Sequence, residues 1–448
     1  MQGENEHLEL EYMLDRVANF YAKIGPLKLG LARNEIPLAY KDAEGLLLVA
    51  IAVKLLLSVF MLLEKFYERV IRAASSVETI ESPATLGYLD VQRTIRNIVA
   101  LRPPVWRVVR RGLNPNDRVH VCSLYNTAVG LAGQAKRIME SVEEASATTI
   151  YGELDRLLKK LGRLSQRVKS LYRRLCGFHP ESITYNPCLD ARRACNVCNA
   201  QSVAGVHSKL LSNLCTLHSM LYGEKASRVA IVRRVKDDTE YIEAVLRVYA
   251  QRLYELYVLY MLLRALEGLT PGRIQARKER VIVLEYDGSI IIFYNSKPRV
   301  DGMLLSRIAR GKAVPQLDPG ILEAASGRPD ITLVVGDRVA AVFEAKYSRR
   351  PSYLTAARFK TLAYIHEYDA RAGVLVYPGL GATSSAYEEE DDVDTIRLLA
   401  EAEKNGTLAI RLYGNSTLYI LPLLPREDIE EENIERMRRV LRSLVVLS

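Results

Sequence analysis

"GRPDITLVVGDRVAAVFEAKYS", residues 327–348, decides how this chain is read. An Asp directly follows a Pro, two apolar runs flank Gly336-Asp337, and the second run ends on Glu344-Ala345-Lys346. Gly-Asp at the break is hairpin turn chemistry, so the stretch is expected to form two adjacent strands. Side chains two apart on a strand leave the same face, which places Glu344 and Lys346 together, with Asp330 at the start of the neighbouring strand. Two carboxylates offer hard oxygen ligands to Mg²⁺ or Mn²⁺ and leave positions for water and a phosphate oxygen. A lysine beside them would orient or activate the attacking water and offset charge developing on a phosphoryl group. The alternative is a Glu-Lys pair on an ordinary hairpin edge. Against it, "VAAVFEAK" is apolar up to its glutamate, so these charges emerge from a strand that reads as buried, where unpaired charge is costly.

Working outward, the texture around this stretch is α/β. A long helical run, "DDTEYIEAVLRVYAQRLYELYVLYMLLRALEGLTPG", stops at Pro-Gly, and short β-type runs follow, among them "RVIVLEYDG", "SIIIFYN", "AGVLVYPG", "TLAIRLYGN" and "TLYILPLLP". Asp287-Gly288 is a second turn signal. A helix, "TAARFKTLAYIHEYDAR", separates two of the strands. The first half reads mainly as helix, including the strongly cationic "IYGELDRLLKKLGRLSQRVKSLYRRL". That cationic face is either a solvated surface or a nucleic-acid contact. The expected organisation is a mainly helical domain over 1–225 for substrate or partner binding, followed by a mixed-sheet α/β/α domain over 226–448. "EEEDDVD", residues 388–394, reads as a solvated acidic loop.

Pro329-Asp330 followed by Glu344-Ala345-Lys346 resembles the signature of the PD-(D/E)XK nuclease superfamily, and flanking residues are similar to its McrC-like and RecB-like restriction-type members. "RLYELYVLYMLLRAL" resembles the acidic helix that precedes the core strands in that group, which implies Glu255 as a further metal ligand or supporting acid. Those nucleases place a Gln-x-x-x-Tyr helix after the catalytic strand; here Lys360 and Tyr364 hold the two positions, one helical turn apart on one face. Lys in place of Gln departs from the pattern and suggests phosphate contact, with Arg358 a further nucleic-acid-binding candidate. The resemblance covers residues 240–380. It implies a restriction-endonuclease-like fold and a Mg²⁺-dependent deoxyribonuclease, an endonuclease of defence or repair type, with Asp330, Glu344, Lys346 and Glu255 catalytic. The competing reading is a nucleic-acid-binding or assembly protein on a degenerate nuclease fold.

Composition agrees with a polyanionic partner. The chain has 448 residues, a formal charge of +9, 49% hydrophobic and 26% charged residues, which argues against a largely disordered protein and favours a polyanionic partner such as nucleic acid, an anionic membrane surface being also suited; DNA is the partner the resemblance implies. "GLLLVAIAVKLLLSVFMLL", residues 45–63, carries one charge, Lys54, and spans about 28 Å as a helix, so length alone permits a membrane span. The central lysine and charged flanks favour a buried helix of a bundle instead. The polar start "MQGENEHLEL" and six cysteines argue for a cytoplasmic protein. Cys176, Cys188, Cys195 and Cys198 fall in one connection, where four thiolates would close a structural zinc site, with His179, His207, Cys215 and His218 as substitutes. Disulfides in a thermophile's protein and reduced buried thiols are the alternatives.

Overall fold

A computed structural model gives the protein's structure and describes residues 2–24, 38–73, 75–81, 88–89, 91–100, 102–111, 113, 115–143, 149–176, 188, 195, 197–222, 239–269, 273–277, 281–285, 290–311, 319–380 and 390–445. His179, the Asp287-Gly288 turn and residues 388 and 389 lie outside the described residues. The chain forms two compact units, one of Met1–Ile51 with Val235–Ser448 and one of Ala52–Arg234. This differs from the single boundary expected near residue 225, because the N-terminal residues belong with the C-terminal sheet.

Helix α1 (Gln2–Ile24) shows why. It buries Met13, Leu14, Val17, Phe20 and Tyr21. Its polar side chains reach far along the chain: Tyr12 donates to Glu430 at 2.5 Å, and Arg16 pairs with the same carboxylate at 2.7 Å. Glu9 accepts from Tyr347 at 2.8 Å and from Arg349 at 2.6 Å. Nothing local in the sequence says where such a helix docks.

Helix α2 (Leu38–Ala73) starts in the first unit and continues into the second. Over Ala43–Ala73 it has the length and apolarity of a membrane span, with a mean hydropathy of 2.8 in its most apolar window, yet 72% of that window is buried within the protein. Leu47, Val49, Ala50, Ile51, Val53, Leu56, Val59 and Phe60 are inaccessible, and Lys54 is half-buried. Most of the segment 45–63 is thus buried within the protein, as expected for a helix of a bundle.

The second unit continues with β1 (Ser75–Glu81), β2 (Tyr88–Leu89), α3 (Val91–Val99) and β3 (Val105–Arg111), the strands pairing antiparallel in the order β1-β3-β2. Then come α4 (Pro115–Glu143), α5 (Thr149–Cys176), a 3₁₀ turn (Val197–Asn199) and α6 (Gln201–Tyr222). In α5, Leu154, Leu157, Leu161, Leu164 and Val168 are buried at three- and four-residue spacing. Arg156, Lys159, Lys160, Arg163, Arg167, Arg173 and Arg174 lie on the exposed side.

The cysteines do not converge as a four-thiolate zinc site. Cys176 is bonded to Cys122, Cys188 to Cys215 and Cys195 to Cys198. Cys122 and Cys176 sit on α4 and α5 with Cα atoms 5.9 Å apart, within disulfide reach, so Cys176 is drawn away from the others. Closing a loop between residues 54 apart stabilises by about 4 kcal/mol in the chain-entropy account.

The first unit resumes with α7 (Thr239–Glu267), β4 (Arg273–Arg277), β5 (Val281–Glu285), β6 (Ile290–Tyr294), the short pair β7 (Arg299–Val300) and β8 (Met303–Leu304), α8 (Arg307–Arg310) and α9 (Pro319–Ala325). It ends with β9 (Ile331–Val335), β10 (Arg338–Ala345), α10 (Pro351–Tyr368), β11 (Ala372–Tyr377), α11 (Glu390–Asn405), β12 (Leu408–Arg411), β13 (Thr417–Pro422) and α12 (Glu430–Val445). Eight strands form one sheet in the order β12-β13-β11-β10-β9-β6-β5-β4. β11 runs parallel to both β10 and β13, and the remaining pairs are antiparallel. The fold is therefore the expected α/β class with a mixed sheet. Leu354 and Ala357 of α10 and Leu399 and Ala402 of α11 pack on Leu375, Tyr377 and Ile420. α7 and α12 are tied to the sheet's end through Tyr254, which donates to the Leu423 carbonyl at 3.1 Å, and Asn433, which donates to the Leu424 carbonyl at 2.7 Å. Residues 390–394, expected in an acidic loop, instead open α11, where buried Asp392 accepts from Thr355 at 2.7 Å.

The β9–β10 hairpin turns at Gly336, whose φ of 62° is one a glycine adopts freely. Pairing starts with Arg338 opposite Val335 and Val339 opposite Val334, then slips by one residue so that Ala341 faces Leu333 and Phe343 faces Ile331. Ala340 is the extra residue of a bulge. Because side chains alternate, the slip reverses the parity of β10: Val339 and Val342 both join the core cluster with Val334, Tyr364 and Ile365. One step further along the slipped register, Glu344 lies opposite Asp330. Without the bulge that position would belong to Phe343.

Candidate functional site

Glu344, the penultimate residue of β10, is fully buried. Its Oε1 accepts from Lys346 Nζ at 2.7 Å and from Lys360 Nζ at 2.8 Å, while its Oε2 is buried with no hydrogen-bond partner among the described residues. Asp330, directly before β9, is buried and accepts through Oδ2 from the Ala345 amide at 3.0 Å. Burial, with the charges of Glu255 and Glu344, pushes the Asp330 carboxyl up to about 8, although Lys346 and Lys360 oppose the rise. Burial disfavours the Lys346 ammonium, but Asp330 and Glu344 outweigh it and hold its pKa above the ordinary value; Lys360 is raised in the same way.

Glu255, on α7, is also buried. Its Oε1 accepts from Gln251 at 2.9 Å, and its Oε2 from Arg252 at 2.5 Å and Asn295 at 3.1 Å. Three hydrogen bonds occupy most of its acceptor capacity and fix its direction. Gln251 also donates to the Ala345 carbonyl at 2.7 Å and accepts from the Tyr347 amide at 2.9 Å. It thereby clamps α7 to the backbone on either side of Lys346. Asn295, at φ 47°, donates its own amide to the Asp330 carbonyl at 2.8 Å. Sequence reasoning missed Gln251, Arg252 and Asn295. The first two had a signal, since they stand four and three residues before Glu255 on the same helical face; Asn295 had none.

The structure thus brings Asp330, Glu344, Lys346, Glu255 and Lys360 together. Lys360, expected on the DNA backbone, instead has its ammonium on the Glu344 carboxylate. Tyr364 donates to the Arg328 carbonyl at 3.0 Å, with its ring 5.3 Å from Lys360 Nζ, so it braces the segment leading into Asp330. Arg358 is not part of the cluster: two residues from Lys360, it leaves α10 on another side, with its guanidinium 4.5 Å from the Phe359 ring. The cluster opens into a cleft lined by Arg247, Arg328, Arg350 and Tyr353, and by the paired Arg349 and Glu9.

Two measurements probe this geometry. A raised folded-state carboxyl binds its proton more tightly than the unfolded chain does, so in metal-free protein Asp330 costs nothing below about pH 4 and an increasing amount towards pH 8. Thermal unfolding with chelator should show Tm falling across that window, and Asp330→Asn should flatten the fall. A Cβ on Gly327 would stand 2.4 Å from the Tyr364 ring, so Gly327→Ala should displace that ring and cost roughly 1–3 kcal/mol of stability in urea unfolding. An unchanged midpoint would mean that the tyrosine does not brace this segment.

A trivalent acidic site fits a divalent cation on the chemistry of its donors. The oxygens are buried and hard, one of them is a Glu344 oxygen without a hydrogen-bond partner among the described residues, and burial together with the neighbouring carboxylates raises the Asp330 carboxyl, a strain that a bound cation would relieve. Comparisons with known proteins add little. No protein-family model matches the chain, and no curated protein matches it. A solved structure from Thermococcus gammatolerans, a refined half-complex from a tetradecameric assembly of McrB AAA+ hexamers with bound McrC, is similar at a TM-score of 0.31 and 11% identity, over 97% of this chain and 76% of that one. At that score the likeness decides neither fold nor chemistry.

Proposed function

We propose that the chain is a Mg²⁺- or Mn²⁺-dependent nuclease of the PD-(D/E)XK type that hydrolyses phosphodiester bonds in DNA, acting as an endonuclease in the cytoplasm. The observation that carries this reading is the convergence of Asp330 and Glu344, opposite one another across a bulged strand pair, with two lysines on one oxygen of Glu344. Asp330 and the free oxygen of Glu344 would hold the cation, and Glu255 would contribute its remaining lone pair or its charge. When bound, the cation supplies Lewis acidity towards a phosphate oxygen and acidifies water.

The chain's own residues do the rest. Lys346, held by the carboxylates, directs positive charge to where charge develops on the phosphoryl group and orients the attacking water. Lys360, hydrogen-bonded to the same oxygen of Glu344, would add a second positive charge facing the phosphate. Arg247, Arg328 and Arg350 at the cleft lead the backbone in. The exposed basic side of α5 suits a further phosphate track, which gives the second unit a substrate-binding or partner-binding role. A binding protein on a degenerate nuclease fold would have no need to bury these three carboxylates and pay their desolvation.

The test is incubation of full-length protein with supercoiled, linear and single-stranded DNA and with RNA, with Mg²⁺, Mn²⁺ or chelator. Nicked or linearised circles that appear only with metal are expected. Intact DNA in every lane, from protein that is folded and binds Mn²⁺ by calorimetry, would remove the nuclease reading.

A further inference from the structure

The second unit contains a separate gathering of metal-type donors that the nuclease reading does not use. His120 on α4, His207 on α6 and Cys198 in the 3₁₀ turn place their ligand atoms within 4.8 Å of one another. The two Nε2 atoms are 2.9 Å apart. Cys195, bonded to Cys198, brings a second sulfur into the same space, with the Cα atoms 5.2 Å apart. His120, Cys195 and Cys198 are 3%, 2% and 1% exposed, and His207 is partly buried. The surroundings hold them in place: Asp117, in the first turn of α4, accepts from the Val197 amide at 3.1 Å, and Phe66 stacks on the His207 ring at 5.6 Å.

We propose that Cys195, Cys198, His120 and His207 form a structural Zn²⁺ site when the Cys195–Cys198 bond is reduced, the bond and the ion being alternative closures of one knuckle. A Cys-x-x-Cys turn with two histidines from neighbouring helices is a complete tetrahedral donor set. Zn–N distances of about 2.0–2.1 Å and Zn–S distances of about 2.3 Å space the nitrogens by about 3.3 Å and the sulfurs by about 3.8 Å, so the imidazoles need move only slightly once the sulfurs part. Two thiolates with two imidazoles and no carboxylate select zinc over magnesium. The chemistry balances with a dithiol as reductant. It passes two electrons and two protons to the Cys195–Cys198 bond and closes to its own disulfide; the two new thiols release their protons as the ion binds. The proposal replaces the four-cysteine arrangement that the other two disulfides prevent, and it stands whether or not the chain cuts DNA.

The test uses full-length protein reduced with a phosphine, loaded with Co²⁺ as a spectroscopic probe, and compared with unreduced protein. Tetrahedral cobalt bands with thiolate charge transfer, at one ion per chain beyond any taken up by unreduced protein, are expected only after reduction. They should vanish in Cys198→Ser, change in His120→Gln and His207→Gln, and persist in the Cys188→Ser, Cys215→Ser control. Native mass spectrometry with Zn²⁺ should show reduced wild-type protein gaining one ion more than unreduced protein, with two protons lost for that ion, and alkylation mapping should find Cys195 and Cys198 protected; this arm holds even if a variant misfolds. Failure of folded, fully reduced protein to take up cobalt or zinc would overturn the proposal. So would a cobalt spectrum unaltered by the histidine variants or lost in the control.

Discussion

Lys346→Met is expected to lower the rate of DNA cleavage by about 10²–10³-fold, the usual loss when one positioned charge is removed from a transition state. Mn²⁺ binding should survive, because Asp330 and Glu344 keep their oxygens. Glu344→Gln should behave differently: it removes the carboxylate on which both lysines converge, so metal binding and cleavage fall together. Metal-free DNA affinity should hold or rise as a negative charge leaves the cleft. Since Lys346 and Lys360 share Glu344 Oε1 at 2.7 and 2.8 Å, their effects should couple rather than add. Single-turnover cleavage, Mn²⁺ calorimetry and circular dichroism on the two single variants and the lysine double variant measure all of this. Cleavage at the unaltered rate by folded Lys346→Met would reduce the cluster to a structural ion network.

The second large effect concerns α1. Removing residues 1–37 should leave the first unit unable to fold cooperatively. Met13, Leu14, Val17, Phe20 and Tyr21 are each at least 95% buried, and at about 1.5–3 kcal/mol per large apolar side chain their loss is on the order of 10 kcal/mol. That equals the whole stability of an ordinary domain, about 5–15 kcal/mol. The ties from Glu9, Tyr12 and Arg16 to Arg349, Tyr347 and Glu430 would go as well. A shortened chain of residues 38–448 should lose the corresponding calorimetric transition. Retention of that transition at an unchanged Tm would show that α1 is dispensable.

The sequence was informative where chemistry and turn signals are local. Gly336-Asp337 announced the hairpin, and the Glu-Ala-Lys ending of an apolar strand announced a buried charged pair at its end. Yet the convergence of Asp330 with Glu344 depends on Ala340, which the sequence does not mark as a bulge: a regular hairpin about that turn would have set Phe343 opposite Asp330. The "VAAV" run carries no break in polarity, since both sides of a buried strand are apolar. Tertiary choices were equally hidden. α1 could have packed anywhere its apolar stripe was matched, and nothing in the spacing of six cysteines says that Cys176 prefers Cys122 on another helix. The clamp by Gln251 depends on α7 meeting the end of β10, a contact between residues 94 apart.

The division of the first unit into two stretches also sets an order in time. α1 leaves the ribosome early, but the strands and helices that bury it come only after roughly 180 intervening residues have been made. At about 5–20 residues per second that is a wait of about 10–40 s, long compared with the folding of most small domains. Through that interval α1 lacks α7, its main native partner, while the second unit, contiguous in sequence, can fold as soon as it emerges. Synthesis therefore completes the inserted unit before the carboxylate cluster, so a growing chain acquires its candidate active site only after the second unit has emerged.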